Sequence, residues 1–518
     1  MPSLEMAPTV MPRSEEAWRR DLPDEQASEL FAREMAQWVE PGDLVALWGG
    51  LGAGKTFLAR ALLRHLTGNP NLEAPSPTFT LMQSYDGPGY PILHADFYRL
   101  SGSGDLENLG WDEARDGALT LLEWPDRAGA RLPGNRLDIE LSFAPDLGAS
   151  GRRALVTAHG ALATRLAIAR AIANLIDKAG WSSARRDYMQ GDASIRAYER
   201  LTRENGQTAI LMIAPPRKDG PLLRYGKPYA QVAKLSPDIR AFIAVAEGLR
   251  AQGYSTPQII AADVAQGLAL LEDFGAETVA DDDGAIDERF LAATSLLADL
   301  HRRDLPPQLP AGEETYQLPS YDQEALIVEV ELMLDWYAPH VANVSLGSGA
   351  RASFLGHWRQ ILTPVLQRAR SWTLRDFHSP NLHWMNERTG LRRIGIIDFQ
   401  DAVMGPPAYD VASLLQDARV DVSDELELHL LSHYVQQRAQ SDTGFDAASF
   451  AQAYAIMGAQ RTTKILGIFA RLDKRDGKPQ YLANLPRVAR YLNKNLAHPS
   501  LAPLKQWFAV NLPVVLRG

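Results

Sequence analysis

The chain has 518 residues, of which 46% are hydrophobic and 22% charged, and its formal net charge is −10. This length accommodates several domains or two of unequal size, and the composition is ordinary for a folded protein. The acidic balance argues against a broad nucleic-acid or anionic-membrane surface. Because the chain has no cysteine, disulfides, thiolate nucleophiles and cysteine-type zinc sites are excluded.

Residues 1–21 mix proline, glutamate and arginine without the apolar core of a signal peptide, and we expect a disordered tail there. No apolar run of membrane-spanning length follows in the sequence. We therefore expect a cytoplasmic protein with no membrane partner.

Alternating helix and strand signals over residues 22–160 predict a first domain of the α/β class. Helical spacing over 27–38 precedes the apolar run Leu44–Trp48, which is typical of a buried parallel strand. A helix is expected over 56–66. Further strands are predicted at 78–84, 92–95, 119–124, 137–143 and 154–158.

Between that first strand and its helix, starting at Gly49, the sequence reads GGLGAGKT, a complete G-x-x-x-x-G-K-T phosphate-binding loop. Gly49, Gly52 and Gly54 let backbone N–H groups surround phosphate oxygens, and the helix N-terminus adds a favourable dipole. Lys55 would reach the β- and γ-phosphates, and the Thr56 hydroxyl would hold Mg²⁺. The first domain is therefore predicted to be a P-loop domain that binds ATP and Mg²⁺.

Further motifs follow this loop along the first domain. They are Ser-Pro-Thr-Phe at 76–79, His-Ala-Asp-Phe-Tyr-Arg at 94–99, Glu-Asn-Leu-Gly at 107–110 and Glu-Trp at 123–124. With the loop, they make the domain resemble the TsaE family, the ATPase of tRNA threonylcarbamoyladenosine synthesis. The sequence departs from the family pattern at Gly50, where the family often has Asp, and at Phe57, where a second Thr is common.

This resemblance implies roles for four side chains. Asp96 and Glu123 would act around the Mg²⁺ ion and the attacking water, with Glu123 also a metal ligand. Trp124 would pack near the adenine, and Thr78 would lie in a switch-like segment. The resemblance also implies partner proteins of a threonylcarbamoyl-transfer complex, through which tRNA is contacted indirectly. An alternative is a nucleotide-gated assembly module with little turnover of its own.

An alanine-rich stretch over 161–180 predicts a connecting helix, and residues 181–518 predict a second domain. Strands are expected at 208–214 and 268–274, and the pattern beyond residue 277 is mostly helical. A small strand-rich lobe before a large helical lobe is the order of a two-lobed α+β kinase-like fold.

The second domain contains a D-x-x-x-x-N motif at Asp376 and Asn381, followed by Asp398 after an apolar stretch. In a kinase-like site the first Asp faces the acceptor hydroxyl, while the Asn and the second Asp hold Mg²⁺ beside ATP. Leu374 stands where kinases usually have His. His378 either orients the acceptor or fills the loop.

Several motifs make this domain resemble the aminoglycoside/choline-type phosphotransferases, and among them the AmgK type of anomeric amino-sugar kinase. These motifs are Gly-Asp-Ala-Ser at 191–194 with Arg196, Leu-Pro-Ser-Tyr-Asp at 318–322, Arg-Asp-Phe-His at 375–378, Asp-Phe-Gln-Asp-Ala at 398–402 and Gly-Ile-Phe-Ala-Arg at 467–471. The resemblance implies a sugar-1-phosphate product, with Ser194 and Arg196 at the nucleotide.

The basic residue that pairs with the phosphates is left open, because strand 210–213 has no lysine. The candidates are Arg196, Arg217 and Lys218, and each is alternatively a solvated surface charge. Two further groups are also left open. They are the carboxylates Asp401 and Asp410, which fit loop support, and the cluster Arg471, Arg475 and Lys478, which faces either an acidic sugar or solvent.

The sequence as a whole predicts a bifunctional ATP-dependent protein. Its first module would serve tRNA threonylcarbamoylation, and its second would phosphorylate the anomeric hydroxyl of N-acetylmuramate or N-acetylglucosamine in cell-wall recycling. A sugar-phosphate nucleotidyltransferase that takes up the product is a candidate partner. The alternative for the second module is an aminoglycoside or choline kinase.

Overall fold

The computed structural model describes residues 17–189, 196–217, 220–312, 314–368 and 370–517. The chain divides into two compact units between residues 174 and 175, inside the helix Leu162–Lys178. The expected disordered tail lies mostly outside the described residues. Its last part is an exception, because Trp18–Leu22 forms a strand and the expectation of disorder is wrong there. Within the described residues, no helix is both long and apolar enough to span a membrane.

The first unit combines a sheet with flanking helices. Its strands are β1 (Trp18–Leu22), β2 (Leu44–Trp48), β3 (Met82–Asp86), β4 (Pro91–Asp96), β5 (Leu119–Glu123), β6 (Arg136–Phe143) and β7 (Arg152–His159). Its helices are α1 (Glu25–Met35), α2 (Lys55–Thr67), α3 (Asp105–Asn108), α4 (Trp111–Ala114) and α5 (Leu162–Lys178), with 3₁₀ turns at Pro125–Arg131 and Pro145–Leu147.

The described strands of the first unit form a seven-stranded sheet in the order β1-β7-β6-β2-β5-β4-β3. Strand β2 pairs in parallel with both β5 and β6, and β4 pairs in parallel with β5. The apolar side chains of these central strands are buried between α1, α2 and the opposite layer. Parallel strands covered on both faces read as continuous apolar runs, which is why the sequence predicts them well. Their carboxyl ends meet at one edge, where the phosphate-binding loop begins.

The second unit has a small strand-rich lobe and a larger helical lobe. Its strands are β8 (Arg185–Met189), β9 (Ala197–Thr202), β10 (Thr208–Ile213), β11 (Leu222–Arg224), β12 (Lys227–Pro228), β13 (Ile259–Asp263), β14 (Leu268–Glu272), β15 (Ala280–Asp281), β16 (Gly284–Ala285), β17 (Gln308–Ala311), β18 (Glu314–Gln317), β19 (Ser371–Thr373), β20 (Leu382–Trp384), β21 (Ile394–Ile396) and β22 (Val403–Gly405).

The helices of the second unit lie mostly in its larger lobe. They are α6 (Tyr229–Val232), α7 (Ile239–Ala251), α8 (Asp287–His301), α9 (Gln323–Leu332), α10 (Ala338–His340), α11 (Ser348–Leu366), α12 (Ala408–Leu415), α13 (Asp424–Ser441), α14 (Ala447–Asp476), α15 (Leu485–Leu496) and α16 (Ala502–Asn511). A π-helical turn spans Met333–Tyr337, and 3₁₀ turns span Ser379–Asn381, Gly390–Arg393, Pro479–Asn484, Pro499–Leu501 and Pro513–Arg517.

The small lobe is built on an antiparallel sheet in the order β13-β14-β10-β9-β8. The large lobe is organised around α14, which packs against α9, α12 and α15. Asp446 caps the start of α14 by accepting from the N–H groups of Ala448 and Ser449, and Gly477 ends the helix in the left-handed conformation. One face of this long helix is apolar and buried, and another lines the cleft described below.

Candidate functional sites

In the first unit, the phosphate-binding loop connects the end of β2 to the start of α2. Gly49 has a φ of +132°, and a Cβ there would come within 2.4 Å of the Leu141 carbonyl oxygen, so no other residue fits. Gly54 is left-handed and directly precedes α2. The backbone therefore brings the N-terminus of α2 to the carboxyl edge of the sheet, the arrangement in which helix N–H groups bind phosphate.

Buried carboxylates lie at the same edge, because β4 and β5 end side by side. Asp96 and Glu123 are direct partners in the register of the two strands. Glu123 accepts a 2.8 Å hydrogen bond from Thr56 Oγ1, which links the start of α2 to β5. The Nε2 atom of His94 lies 3.0 Å from the other Glu123 oxygen. A hydroxyl and a carboxylate held together in this way are ligands of the type that Mg²⁺ prefers.

Asp96 is held by the segment before β3. Thr78 Oγ1 donates to its carboxylate at 2.7 Å, Ser76 donates to the same oxygen, and the Tyr98 N–H donates at 2.9 Å. The predicted candidates Thr78 and Asp96 are therefore in direct contact. Movement of this segment would be transmitted to the carboxylate.

Lys55 lies between the loop and an aromatic side chain. Its Nζ donates to the carbonyl oxygens of Gly49 and Gly50 at 2.7 and 2.9 Å and lies 3.9 Å from the centre of the Trp124 ring. Burial lowers the pKa of Lys55, although Glu123 and other nearby carboxylates oppose this shift. The structure thus brings Lys55, Thr56, Glu123 and Trp124 together around one loop. A cation, a hydroxyl and a carboxylate in this arrangement fit a nucleoside triphosphate with its Mg²⁺ ion.

In the second unit, the catalytic-loop motif is fixed by a buried carboxylate on α12. Asp410 accepts hydrogen bonds from the N–H groups of Leu374 and Arg375 at 2.6 and 2.8 Å. Burial raises the pKa of Asp410 to about 7, against the effect of these two bonds. Asp410 therefore supports the loop, and Asp401 does the same for the small lobe by accepting from the Ser236 N–H at 2.6 Å.

Asp376, Asn381 and Asp398 converge where β20 and β21 pair. Leu382 lies opposite Ile396, and the Ile397 N–H donates to the Asn381 carbonyl at 3.0 Å, so Asn381 and Asp398 flank the end of this hairpin. Asn381 Nδ2 donates to the Asp376 carbonyl at 2.9 Å. The side-chain oxygens of these three residues are ligands of the type that a Mg²⁺ ion beside a phosphate chain would need.

The carboxylate of Asp398 is influenced by the charge of Asp376. Burial, together with the charge of Asp376, raises the pKa of Asp398 to about 6. About 39% of the side chain faces the cleft, so water reaches a carboxylate that is otherwise enclosed by protein. Asp398 has a φ of +57° and Arg375 one of +69°. Such left-handed backbone costs of the order of 1–3 kcal/mol at a non-glycine residue and is concentrated at functional sites.

Arg375 takes part in a buried ion cluster rather than in the cleft. It pairs with Glu329 on α9, which also lies 3.2 Å from the Nζ of Lys464 on α14. Tyr321 donates to Glu329 at 2.6 Å. Burial opposes ionisation of Glu329, yet Lys464 and Arg375 hold its pKa below the ordinary value. This cluster connects the catalytic loop to α9 and α14, and the sequence pattern does not reveal it.

The three converging residues open onto a cleft of about 1100 Å³. Its described lining is strongly basic. The cationic lining residues are Arg196, Arg217, Arg419, Arg461, Lys464, Arg471 and Arg475. The last four lie on one face of α14, at spacings of three, seven and four residues. This helical spacing of cations is the sequence signal that could have identified the basic wall of the cleft.

The other residues predicted from the sequence do not all lie at the cleft. Ser194 and Lys218 lie outside the described residues. Arg196 donates to Asp398 at 3.3 Å and to Ser236 at 3.2 Å, which places it beside the predicted metal ligands. Arg217 also lines the cleft, whereas Lys478 is not among the described residues that do so.

His378 is buried in the wall of the cleft. Its Nε2 lies 3.3 Å from Arg419 Nη1 and 3.5 Å from Asn381 Nδ2. Burial, together with the charge of Arg419, lowers the pKa of His378 to about 3. The imidazole is therefore neutral at physiological pH and accepts a hydrogen bond from Arg419.

Comparison with known proteins identifies both parts of the chain. The family model described as threonylcarbamoyl adenosine biosynthesis protein TsaE matches residues 22–152, and the model of the phosphotransferase enzyme family matches residues 189–448. A tRNA threonylcarbamoyladenosine biosynthesis protein TsaE of Rickettsia bellii is 37% identical over 125 residues, which cover 24% of this chain and 86% of the relative.

Two further relatives match the second unit. An N-acetylmuramate/N-acetylglucosamine kinase of Caulobacter vibrioides is 39% identical over 350 residues, covering 65% of this chain and 95% of the relative. A kinase of the same description from Pseudomonas aeruginosa is 32% identical over 327 residues, covering 61% of this chain and 86% of the relative.

Proposed function

The chain belongs to the TsaE family over residues 22–152 and to the phosphotransferase enzyme family over residues 189–448, and on this basis we propose a bifunctional enzyme with two separate ATP-using sites. The first hydrolyses ATP as a component of tRNA threonylcarbamoyladenosine modification. The second transfers a phosphoryl group from ATP to the anomeric hydroxyl of N-acetylmuramate or N-acetylglucosamine.

For the first site, the observation that carries the proposal is the hydrogen bond between Thr56 and Glu123. It joins the phosphate-binding loop to a buried carboxylate that lies beside Asp96. Lys55 and the loop N–H groups bind the phosphates, while Glu123 and Asp96 orient the attacking water. Trp124, already in contact with Lys55, forms one wall of the nucleotide site.

For the second site, the proposal is carried by the convergence of Asp376 and Asp398 in a cleft between the two lobes. Asp376 accepts the proton of the acceptor hydroxyl as the hydroxyl oxygen attacks the γ-phosphorus and the bond from that phosphorus to the leaving ADP breaks. Arg196 supplies the phosphate-pairing charge that β10 lacks, because it directly precedes β9 and already contacts Asp398.

Mg²⁺ would be held by Thr56 and Glu123 in the first site and by Asn381 and Asp398 in the second, where it neutralises charge on the phosphates. In both sites the protein supplies only one or two carboxylates near the metal. That is the usual pattern for Mg²⁺, which takes its remaining ligands from water and substrate phosphates.

The partners of the two sites differ in kind. The first site works with proteins of the threonylcarbamoyl-transfer complex, and its hydrolysis should rise when they are added. The second site makes a sugar 1-phosphate, whose consumption calls for a nucleotidyl-transfer reaction.

The acceptor is tested by mass spectrometry of products formed from ATP, Mg²⁺ and a panel of sugars, aminoglycosides and choline. We expect N-acetylmuramate and N-acetylglucosamine to gain one phosphate, and their methyl glycosides, whose anomeric oxygen is blocked, to remain unchanged. Phosphorylation of a methyl glycoside as fast as of the free sugar would overturn the anomeric assignment. Faster reaction of choline or an aminoglycoside would favour the alternative kinase.

A further inference from the structure

Arg461 has a different environment from Lys464 and Arg475, two of its cationic neighbours on α14. Lys464 pairs with Glu329 at 3.2 Å, and Arg475 pairs with Asp476 at 2.7 Å. Arg461 makes no hydrogen bond or ion pair with any residue in the described part of the chain. Its Nη1 atom is shielded from solvent and has no hydrogen-bond partner.

This lack of partners is costly because Arg461 is only 5% exposed. A guanidinium cannot lose its proton to escape burial, so its charge and donors must be compensated by other groups. Native proteins rarely leave buried donors unsatisfied, and each exception calls for an explanation such as a bound ligand, ion or water. Arg461 therefore has the properties of a residue prepared for an anion that the protein itself does not provide.

The position of Arg461 indicates which anion this is. It lines the same cleft as Asp376 and His378, and its charge opposes the rise that burial causes in the pKa of Asp410 and adds to the fall that burial causes in the pKa of His378. It thus acts on the loop that faces the acceptor. A guanidinium presents two parallel N–H donors, a geometry that matches a carboxylate with two hydrogen bonds.

We propose that Arg461 binds a carboxylate of the acceptor and makes the cleft select an acidic amino sugar over its neutral counterpart. This inference rests on the proposed function, in which the two acceptors are N-acetylmuramate and N-acetylglucosamine. The lactyl carboxylate is the charged group that distinguishes them. A site that leaves a buried cation unpaired discriminates against the acceptor that lacks its partner.

The test compares kcat/KM for the two sugars in the full-length protein and in Arg461→Gln. A hydrogen bond to a charged group corresponds to roughly 10–100-fold in affinity. We expect Arg461→Gln to lower the ratio of kcat/KM for N-acetylmuramate to that for N-acetylglucosamine by about this factor, mainly through KM. Arg461→Lys keeps the charge without the paired donors and should give an intermediate ratio.

A matched control removes one arginine outside the cleft. Arg490 on α15 is half exposed and pairs with Asp421, so Arg490→Gln changes the net charge equally and should leave the ratio unchanged. As a further probe, N-acetylmuramate whose carboxylate is converted to an amide should react like N-acetylglucosamine with the wild-type protein, and Arg461→Gln should no longer distinguish the acid from the amide.

Equal losses for both sugars in Arg461→Gln would overturn the proposal, because they would place Arg461 at the phosphates or in the fold. An unchanged ratio would overturn it as well. If the Gln variant does not fold by circular dichroism, Arg461→Lys decides, and a wild-type ratio in that variant contradicts the proposal. Failure of the wild-type protein to phosphorylate either sugar would instead refute the proposed function itself.

Discussion

Glu123 is the residue on which we expect turnover at the first site to depend. It is buried at the end of β5, where it accepts from Thr56 and contacts His94. Glu123→Gln keeps an acceptor for Thr56 but removes the charge that orients water, so we expect nucleotide affinity to stay within a few-fold. Partner-stimulated hydrolysis should fall by about 10²–10³-fold, the range for loss of a positioned catalytic group.

Nucleotide affinity is measured by titration with a fluorescent ATP analogue, and the rate of ATP hydrolysis by phosphate release from the same preparation. Glu25→Gln, on the exposed first turn of α1, is a suitable control and should behave as wild type. Full retention of hydrolysis in Glu123→Gln would contradict the assigned role.

Asp376 has the corresponding position in the second site. Replacing it by Asn preserves the shape of the loop and its hydrogen bond from Asn381, which is made to the backbone. Because the proton acceptor is lost, we expect kcat for sugar phosphorylation to fall by about 10²–10⁴-fold while KM changes little. Glu387→Gln, an exposed change in the turn between β20 and β21, should keep kcat. A kcat near wild type in Asp376→Asn would exclude Asp376 as the base.

The site residues differ in how far the sequence predicts them. The phosphate-binding loop and the D-x-x-x-x-N motif are local patterns, and Lys55, Thr56, Asp376 and Asn381 can be predicted from them. The environment of Arg461 cannot be predicted in this way. Its importance lies in the absence of a partner, and that depends on how helices from distant parts of the chain pack.

At the scale of elements, Glu329 connects α9 to the catalytic loop and to α14. It is fully buried and shared by Arg375 and Lys464. Glu329→Gln would leave two buried cations without their anion, and removing one partner of a buried pair costs about 3–5 kcal/mol. We expect the free energy of unfolding of the second unit to fall by that amount, measured by denaturant unfolding with a tryptophan signal.

The control is Glu324→Gln on the same helix, whose partly exposed pair with Arg224 contributes at most about 1 kcal/mol. The pH dependence gives a further check. The pKa of Glu329 in the folded protein lies below its ordinary value of 4.5. Its contribution to the free energy of unfolding is therefore complete above pH 4.5 and is lost as the pH falls through the folded-state pKa. The difference in free energy of unfolding between wild type and Glu329→Gln should therefore become smaller in acid. A difference that stays constant with pH would contradict the assignment of Glu329 to a stabilising ion cluster.

The central apolar strands could be predicted from the sequence, whereas the polar strands could not. Strand β2 has the predicted bounds, and β5 and β6 differ from the prediction by one residue. Strands β8 and β9 escape prediction because they are rich in charged residues and only partly buried. Strand β3 begins at Met82 instead of residue 78, since the segment before it turns at Leu81, which has a φ of +63°, and brings Thr78 to Asp96.

At the scale of the whole molecule, each unit contains its own phosphate-binding and carboxylate groups. The first uses Lys55 and Glu123 on a parallel sheet, and the second uses Asp376 and Asp398 at the junction of two lobes. Among the described residues, the side chains assigned to each set come from its own unit. Two activities that can be lost separately are therefore the central expectation.

The most direct measurement assays both activities in the full-length wild type, in Lys55→Ala and in Asp376→Asn. Hydrolysis of ATP is followed with the threonylcarbamoyl-transfer proteins and no sugar, and sugar phosphorylation is followed with N-acetylmuramate. We predict that Lys55→Ala loses hydrolysis and retains sugar phosphorylation, and that Asp376→Asn does the reverse. Loss of both activities in either variant would contradict two independent ATP sites.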